Sequence, residues 1–239
     1  MSPDDSADTP TGEAAEPDQP LRLHFTAELQ ELKLQTEMMG VLVDQNLERM
    51  REVLRTGDEA VAAKAIATDD EIDAMNVSLT DQCYQVLARE NPMASDLRLV
   101  VSVIRVTAAF ERIGDLCLRI AKLAPEHAAL EASATSFDIL QVMGDVAVDR
   151  FRQALRAWGT DDLVLATSVA AGSEMMDLYV EKLTETLVTL GGPDAARIAL
   201  RSLVAGHSLQ RISDHATILG RRIQYLLTGD QAYLAAEVR

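Results

Sequence analysis

Acidic side chains stand one helical turn apart in an apolar segment of this sequence. In AFERIGDLCLRIA, Glu111 and Asp115 are four positions apart, and in SLQRISDHATILG the corresponding positions hold Gln210 and Asp214. At about 100° per residue, offsets of 4 and 7 return to one helix face, so Glu111 and Asp115 share a stripe with apolar residues. An unpartnered carboxylate buried on such a stripe costs several kcal/mol, which predicts a compensating partner.

A second segment, ATDDEIDAMN, offers that partner because it places Asp69 and Asp73 at the same spacing, with Asn76 and Thr80 continuing the face. If the two helix faces meet, four carboxylates converge, and they need a counter-ion to stay ionised together. Oxygen-only ligands suit hard cations such as Mg²⁺, Mn²⁺, Ca²⁺ or Fe³⁺. No ExxH motif is present, which argues against a ferritin-like di-iron oxidase. The predicted metal ligands are Asp69, Asp73, Glu111 and Asp115.

Two other interpretations of the acidic pairs stay open. Such pairs are common on solvated helices, where they pair with arginine and bind nothing, as in a metal-free helical scaffold. A metal-dependent hydrolase would use the same carboxylates to activate water. The sequence has no P-loop, Gly-x-Ser-x-Gly or Rossmann glycine pattern, and no further acid, base or nucleophile accompanies the motifs. We therefore expect a non-enzymatic protein.

Composition favours a helical protein that does not bind nucleic acid. Of 239 residues, 48% are apolar and only 4% aromatic, and Gly and Pro are few. The formal net charge is −16, and residues 1–20 contribute six acidic side chains without a Lys or Arg. Such a surface repels phosphate backbones but attracts cations and basic partner surfaces.

The cysteines and the hydropathy pattern predict a cytoplasmic protein without a transmembrane segment. Cys83 and Cys117 lie in apolar helical segments outside any CxxC pattern, as reduced buried thiols do. The N-terminus has no apolar signal core, and LVVSVIRVTAAF is interrupted by Arg105, so no stretch of 18 apolar residues is present.

The chain divides into two similar halves. Segments 54–76 and 158–180 align without a gap at an offset of 104, and segments 98–116 and 197–215 align at an offset of 99. The helices are separated by breaks at RTGDE, ENPMASD, WGTDD and GGPD, and Asp58 in the first break is a candidate N-cap.

The predicted fold is all-α, with two pseudo-symmetric three-helix bundles side by side or end to end. The predicted helices are roughly 21–55, 58–89, 93–123, 134–158, 160–190 and 193–228. The predicted domains are a disordered acidic tail at 1–20, bundles at 21–125 and 126–230, and a C-terminal tail at 231–239.

Two longer segments carry a resemblance to a known family. NPMASDLRLVVSVIRVTAAFERIGDLCLRIA and RISDHATILGRRIQYLLTGD resemble the PhoU family of phosphate-signalling regulators, and the resemblance covers residues 22–230. It implies paired three-helix bundles and Glu/Asp-x-x-x-Asp motifs that bind metal ions, including multinuclear iron clusters. It also implies a regulator that restrains phosphate uptake and the phosphate-starvation response. The implied partners are the ATPase subunit of a phosphate ABC transporter and a PAS-containing sensor histidine kinase.

The second half departs from this pattern. Ser173 stands opposite Asp69, and Gln210 stands opposite Glu111. Asp177 and Asp214 keep their carboxylates, while Glu174 lies about 100° around the helix from the expected position. Because affinity for a hard cation rises with ligand charge, we expect a stronger site in the first bundle and a weak or empty one in the second.

Basic residues recur on the third predicted helix. Arg98, Arg105, Arg112 and Arg119 repeat every seven positions, on the side opposite the carboxylates. They are either a solvated face with modest salt bridges or a docking strip for an acidic partner. The wide apolar faces of the long helices are a separate feature, and they favour a homodimer. His215 adjoins Asp214 without a second histidine at ligand spacing, which is typical of a bundle histidine.

Overall fold

The structure, a computed structural model, describes residues 19–90 and 92–237. These residues form helices and connecting turns, without a β-strand among them. The predicted tail at 1–20 falls almost entirely outside this range. The helices are α1 (Gln19–Thr56), α2 (Glu59–Glu90), α3 (Ser95–Ala121), α4 (His127–Glu131), α5 (Ala134–Thr160), α6 (Leu163–Ala170), α7 (Glu174–Val188), α8 (Ala195–Thr228) and α9 (Ala232–Glu237).

The first bundle consists of α1, α2 and α3, which pack against one another. Gly57, with φ +67°, reverses the chain after α1. The Oδ1 atom of Asp58 accepts hydrogen bonds from the backbone N–H groups of Ala60, at 2.8 Å, and Val61, at 3.1 Å. Asp58 therefore caps the N-terminus of α2, as predicted.

The second bundle is built from α5, α8 and the pair α6 and α7. The continuous helix predicted at 160–190 is wrong, since the chain breaks between Ala170 and Glu174. Gly172 lies there with φ +91°, in a conformation that favours glycine. The Ser173 hydroxyl then accepts a hydrogen bond from the Met176 N–H at 3.1 Å and caps α7. Gly172 and the capping Ser173 therefore end one helix and begin the next, although the apolar periodicity on both sides predicts a continuous helix.

The two bundles lie side by side over one shared core. Helix α1 packs on α5, and α3 packs on α8. A single cluster of buried apolar side chains runs from Leu29 in α1 to Ile223 in α8. Within it, Phe110 and Phe151 meet edge to face with ring centroids 5.6 Å apart. The predicted all-helical, two-bundle architecture is confirmed, with a core that the halves build together.

Short elements occupy the connection between the bundles and the predicted C-terminal tail. A 3₁₀ turn at Ala124–Glu126 leads into α4, and α9 packs on α8. One segment, Leu163–Val188, is long and apolar enough to cross a membrane by length and composition. This segment comprises α6 and α7, which the break at 171–173 divides and which both pack on α8.

Candidate metal site and its counterpart in the second repeat

Asp69 is the buried member of the first acidic group. Its side chain projects from the middle of α2, and the residue is 8% exposed. Its Oδ1 atom is buried without a hydrogen-bond partner. A Cβ atom on Gly114 of α3 would stand 2.8 Å from that oxygen, so a larger residue there would displace the carboxylate. On α2, the Oδ1 atom of Asn76 is also buried without a partner. Unpartnered buried oxygens of this kind are rare, and a bound water or cation would satisfy them.

Burial and the surrounding carboxylates raise the pKa of Asp69. Burial is the largest cause, and the carboxylates of Asp73, Asp115, Asp70 and Glu111 follow, so that the pKa rises from 3.8 to about 6. Every charged group among these causes is another carboxylate. The pKa of Glu111 is also raised, mainly by burial, while Arg112 opposes the rise and Asp115 and Asp73 support it. The α2 and α3 faces therefore meet, as predicted, and form a region of concentrated negative charge.

Arg112 supplies part of the compensation. Its Nη1 lies 3.3 Å from Asp115 Oδ2, and its Nε lies 3.4 Å from Glu111 Oε2. The arginine side chain is 64% exposed, so solvent screens these pairs. Among the described residues, no cation contributes to the pKa shift of Asp69, so the positive charge of Arg112 compensates only the exposed edge of the site.

The carboxylates approach one another without forming a closed ligand set. Within residues 19–90 and 92–237, no three His, Cys, Asp or Glu side chains are close enough together to hold one metal ion. Asp73 is exposed, and the Asp115 side chain is 42% exposed, so both have room to change rotamer. An all-oxygen donor set with a buried, unpartnered carboxylate fits a hard cation. The placement of Asp69, Asp73, Glu111 and Asp115 as metal ligands stays a prediction.

The second acidic group lies at the matching place on α7 and α8. Asp177 and Asp214 line an open cavity of about 440 Å³ together with Ser173, Arg211 and Arg221. Arg211 Nη1 lies 3.4 Å from Asp214 Oδ2, which repeats the pairing of Arg112 with Asp115. The pseudo-symmetry of the halves therefore extends to the individual ion pair.

The residues that depart from the acidic pattern in the second half have other surroundings. The Ser173 hydroxyl is engaged as the N-cap of α7. Glu174 is exposed in the first turn of α7, and Gln210 is partly buried on α8. Ser173 thus contributes to the helix terminus, and the second site keeps only the carboxylates of Asp177 and Asp214.

A buried guanidinium stands beside this second group. Arg150 on α5 is 8% exposed and donates hydrogen bonds to the carbonyl oxygens of Gly172 at 2.6 Å and Val169 at 2.7 Å. It also donates to the hydroxyl of Thr217 at 2.8 Å. Burial lowers the pKa of Arg150, while nearby carboxylates oppose that shift, among them Asp214 and Asp177. Sequence reasoning missed Arg150, although extending the 104-residue offset backward through α5 would have found it.

The arginines of α3 have different environments. Arg98 Nε donates to the Leu226 carbonyl oxygen at 3.3 Å and ties α3 to the end of α8. Arg112 turns toward the carboxylates rather than away from them, because a three-residue step brings it beside Asp115. Arg105 and Arg119 are exposed. On α8, His215 is partly buried, and burial, Arg211 and Arg112 lower its pKa to about 4.

The comparisons with known proteins agree with the architecture. A family model described as PhoU domain matches twice, at residues 36–124 and 140–223. The chain belongs to the PhoU family. A phosphate-specific transport system accessory protein PhoU homolog from Pseudomonas putida is 32% identical over 207 residues, which cover 86% of this chain and 81% of that protein. The corresponding homolog 1 from Thermotoga maritima is 29% identical over 212 residues, which cover 87% of this chain and 90% of that one.

Solved PhoU structures share the fold. The crystal structure of PhoU from Pseudomonas aeruginosa has a TM-score of 0.82 at 30% identity and matches 86% of this chain and 100% of its own. The phosphate transport system regulatory protein PhoU from Streptococcus pneumoniae has a TM-score of 0.77 at 26% identity, with coverage of 86% and 98%. The family predicted from the ERIGD and RISDHA segments is confirmed.

Proposed function

We propose that this chain is a non-enzymatic regulator of phosphate uptake and of phosphate-starvation signalling. The observation that carries this proposal is the double PhoU match, together with relatives that are named accessory proteins of phosphate-specific transport. The proposed action is protein–protein docking rather than catalysis. The proposed location is the cytoplasm.

The proposed partners are the ATPase subunit of a phosphate ABC transporter and a PAS-containing sensor histidine kinase. Both would meet helix faces of the bundles. Arg105, Arg112 and Arg119 are exposed on α3, and of these Arg112 already pairs with Glu111 and Asp115, which leaves Arg105 and Arg119. They are the part of the strip that suits an acidic partner surface. A homodimer is a further proposal, checked by light scattering of the purified protein.

A hard metal ion is the proposed ligand of the first bundle, held by Asp69, Asp73, Glu111 and Asp115. Support comes from the buried Asp69 oxygen that lacks a partner and from its surrounding carboxylates. Bound there, Mg²⁺, Mn²⁺, Ca²⁺ or an iron ion supplies the positive charge that ionised carboxylates need at close range. The exposed Asp73 and Asp115 side chains close on the site, while Asp69 is already held in place by the packing of α2 on α3.

Affinity capture tests the regulatory proposal. The tagged full-length protein is incubated with lysate from phosphate-replete cells, and co-purifying proteins are identified by mass spectrometry. We expect a phosphate-transporter ATPase and a sensor histidine kinase. Arg105→Glu with Arg119→Glu is compared with wild type to test the arginine strip. Recovery of neither partner by the wild-type protein would contradict the proposal.

Elemental analysis tests the metal proposal. Protein purified without chelator is expected to contain metal that Asp69→Asn with Asp115→Asn removes. Metal-free wild-type protein would favour the metal-free scaffold. Metal-loaded protein that hydrolyses phosphate esters, with loss of that activity in Asp115→Ala, would favour the metal-dependent hydrolase.

A further inference from the structure

The first helices of the two bundles correspond residue by residue. At the offset of 104, Met39 and Gly40 of α1 align with Met143 and Gly144 of α5. The alignment continues without a gap, and most of the buried positions coincide along both helices. Examples, in order along the chain, are Met39 with Met143, Val43 with Ala147, Leu47 with Phe151, Met50 with Ala154 and Leu54 with Trp158.

At one buried position of this alignment, the residues on α1 and α5 differ in charge. The residue on α1 is Asn46, which is 0% exposed, and the residue on α5 is Arg150, which is 8% exposed. Both amide atoms of Asn46 lack a hydrogen-bond partner. The Nη1 and Nη2 atoms of Arg150 donate to three oxygens, namely two backbone carbonyls and a hydroxyl, while its Nε is buried without a partner among the described residues. The same place in the fold therefore holds a neutral side chain without partners in one bundle, and a cation bonded to three oxygen atoms in the other.

The oxygens around Arg150 are of the type that binds hard cations. The Gly172 carbonyl is available because the helix breaks between α6 and α7, and the Val169 carbonyl, which accepts from the Gly172 N–H at 3.3 Å, has a second lone pair for Arg150. Thr217, which accepts from Arg150, lines the same cavity as Asp177 and Asp214. Two carbonyls, one hydroxyl and two nearby carboxylates would suit a calcium or manganese ion if the guanidinium were not there.

We propose that the guanidinium of Arg150 takes the place of a metal ion in the second bundle. This inference rests on the proposed metal site of the first bundle, and it names the residue that limits the protein to one such site. Helix α2 runs unbroken past Asp69, whereas the equivalent stretch at 171–173 opens to offer its carbonyls to Arg150. The second bundle thereby neutralises its acidic residues without an external ion.

A purely structural role is the competing explanation for Arg150. In that case the side chain only satisfies the freed carbonyls of the helix break, and its charge is irrelevant to Asp177 and Asp214. The two explanations differ in what replaces the guanidinium when it is removed. Only a charge-compensating role predicts that a metal ion takes over, and that Lys, which keeps the charge, prevents this.

The experiment measures thermal unfolding with and without 1 mM MnCl₂ in a background that lacks the first site, Asp69→Asn with Asp115→Asn. We expect no shift of Tm by Mn²⁺ in this background. Adding Arg150→Asn, the residue found at the equivalent place in α1, is expected to create an Mn²⁺-dependent rise of about 3 °C or more. Arg150→Lys is expected to show no rise. Adding Asp177→Asn and Asp214→Asn to Arg150→Asn is expected to abolish the rise.

Each result decides the proposal. A rise with Arg150→Asn that depends on Asp177 and Asp214 supports it. No rise, or an equal rise with Arg150→Lys, overturns it. If the Arg150→Asn protein is unfolded without metal, recovery of helical circular dichroism by Mn²⁺ supports the proposal, and no recovery overturns it. If Mn²⁺ does not change the Tm of the wild-type protein, only the proposed metal site of the first bundle is contradicted. The proposal for Arg150 is tested separately, in a background that lacks that site.

Discussion

The two bundles share a fold and an ion pair but treat buried charge differently. Arg112 with Asp115 and Arg211 with Asp214 repeat the same contact, at 3.3 Å and 3.4 Å. Around that contact, the first bundle has Asp69 and Glu111 where the second has Ser173 and Gln210. The first bundle is left with a buried carboxylate among other carboxylates. The second has fewer carboxylates and an arginine of its own beside them.

The helix backbone also differs between the two acidic groups. In the first bundle, Gly114 gives the Asp69 carboxylate its space against an unbroken α2. In the second, Ser213 stands at the position equivalent to Gly114, and the helix opposite is broken at 171–173. A serine is tolerated there because Ser173 points its hydroxyl into its own helix terminus. A few substitutions thus distinguish a buried carboxylate among other carboxylates from an acidic pair with a buried arginine beside it.

Removing the first-bundle carboxylates is the largest expected change. Asp69→Asn with Asp115→Asn takes away the buried ligand and one of the exposed ligands, so metal content is expected to fall to the background level. Elemental analysis of protein purified in parallel measures this. Asp177→Asn with Asp214→Asn is the matched control and is expected to keep wild-type metal content. Equal losses in both variants would show that the two bundles do not differ.

Gly114→Ser, which copies the second bundle into the first, comes next. A Cβ at this position would lie 2.8 Å from Asp69 Oδ1, so the carboxylate has to move away. Loss of ligand positioning is expected to weaken metal binding by about 10- to 100-fold, as measured by calorimetric titration. The reverse change, Ser213→Gly, is expected to leave metal binding unaltered. Unchanged affinity in Gly114→Ser would mean that Asp69 is not a ligand.

Much of this contrast could be predicted from the sequence. Periodicity and spacing predict the helices, and the offsets of 104 and 99 predict the bundles. Helix geometry places Asp69 with Asp73, and Glu111 with Asp115, on one face of their own helices, and it makes their convergence conditional on the two faces meeting. The departures at Ser173 and Gln210 likewise predict a weaker second site.

Features that depend on tertiary contacts could not be predicted from the sequence pattern. The break between α6 and α7 is missed because Gly172 and Ser173 lie inside an otherwise apolar helical pattern. Arg150 is missed because its role depends on carbonyls that only this break exposes. The pairing of Arg112 with its neighbours depends on rotamers, which a seven-residue repeat does not describe.

The pH dependence of stability separates the bundles in the metal-free protein. The pKa of Asp69 is about 6 in the folded chain against 3.8 as its ordinary value, so the folded state holds more protons between these values. Stability from this group is fully present below pH 3.8 and is lost as pH rises through about 6. Between about pH 5 and pH 7 the loss is about 1 kcal/mol, and Asp69→Asn is expected to lack it.

Urea unfolding of chelator-treated wild type and Asp69→Asn measures that difference. The chosen range stays above the sequence isoelectric point of about 4.6, where the protein carries little net charge. Asp214→Asn is the control, and its difference from wild type is expected to stay constant across the range. A constant difference for Asp69→Asn as well would show that this carboxylate is not held among other negative charges.

The smallest expected effect concerns the ion pair that the bundles share. Arg112→Gln removes a positive charge next to Glu111 and Asp115, which leaves the first site more negative. Because the arginine is 64% exposed and screened, metal affinity is expected to rise only about threefold. Arg211→Gln removes the equivalent charge in the second bundle and is expected to leave affinity unchanged, since Arg150 still occupies the oxygens there. Calorimetric titration of both variants measures the asymmetry. A rise in Arg211→Gln, or a second binding event, would mean that the shared ion pair, rather than Arg150, keeps metal out of the second bundle.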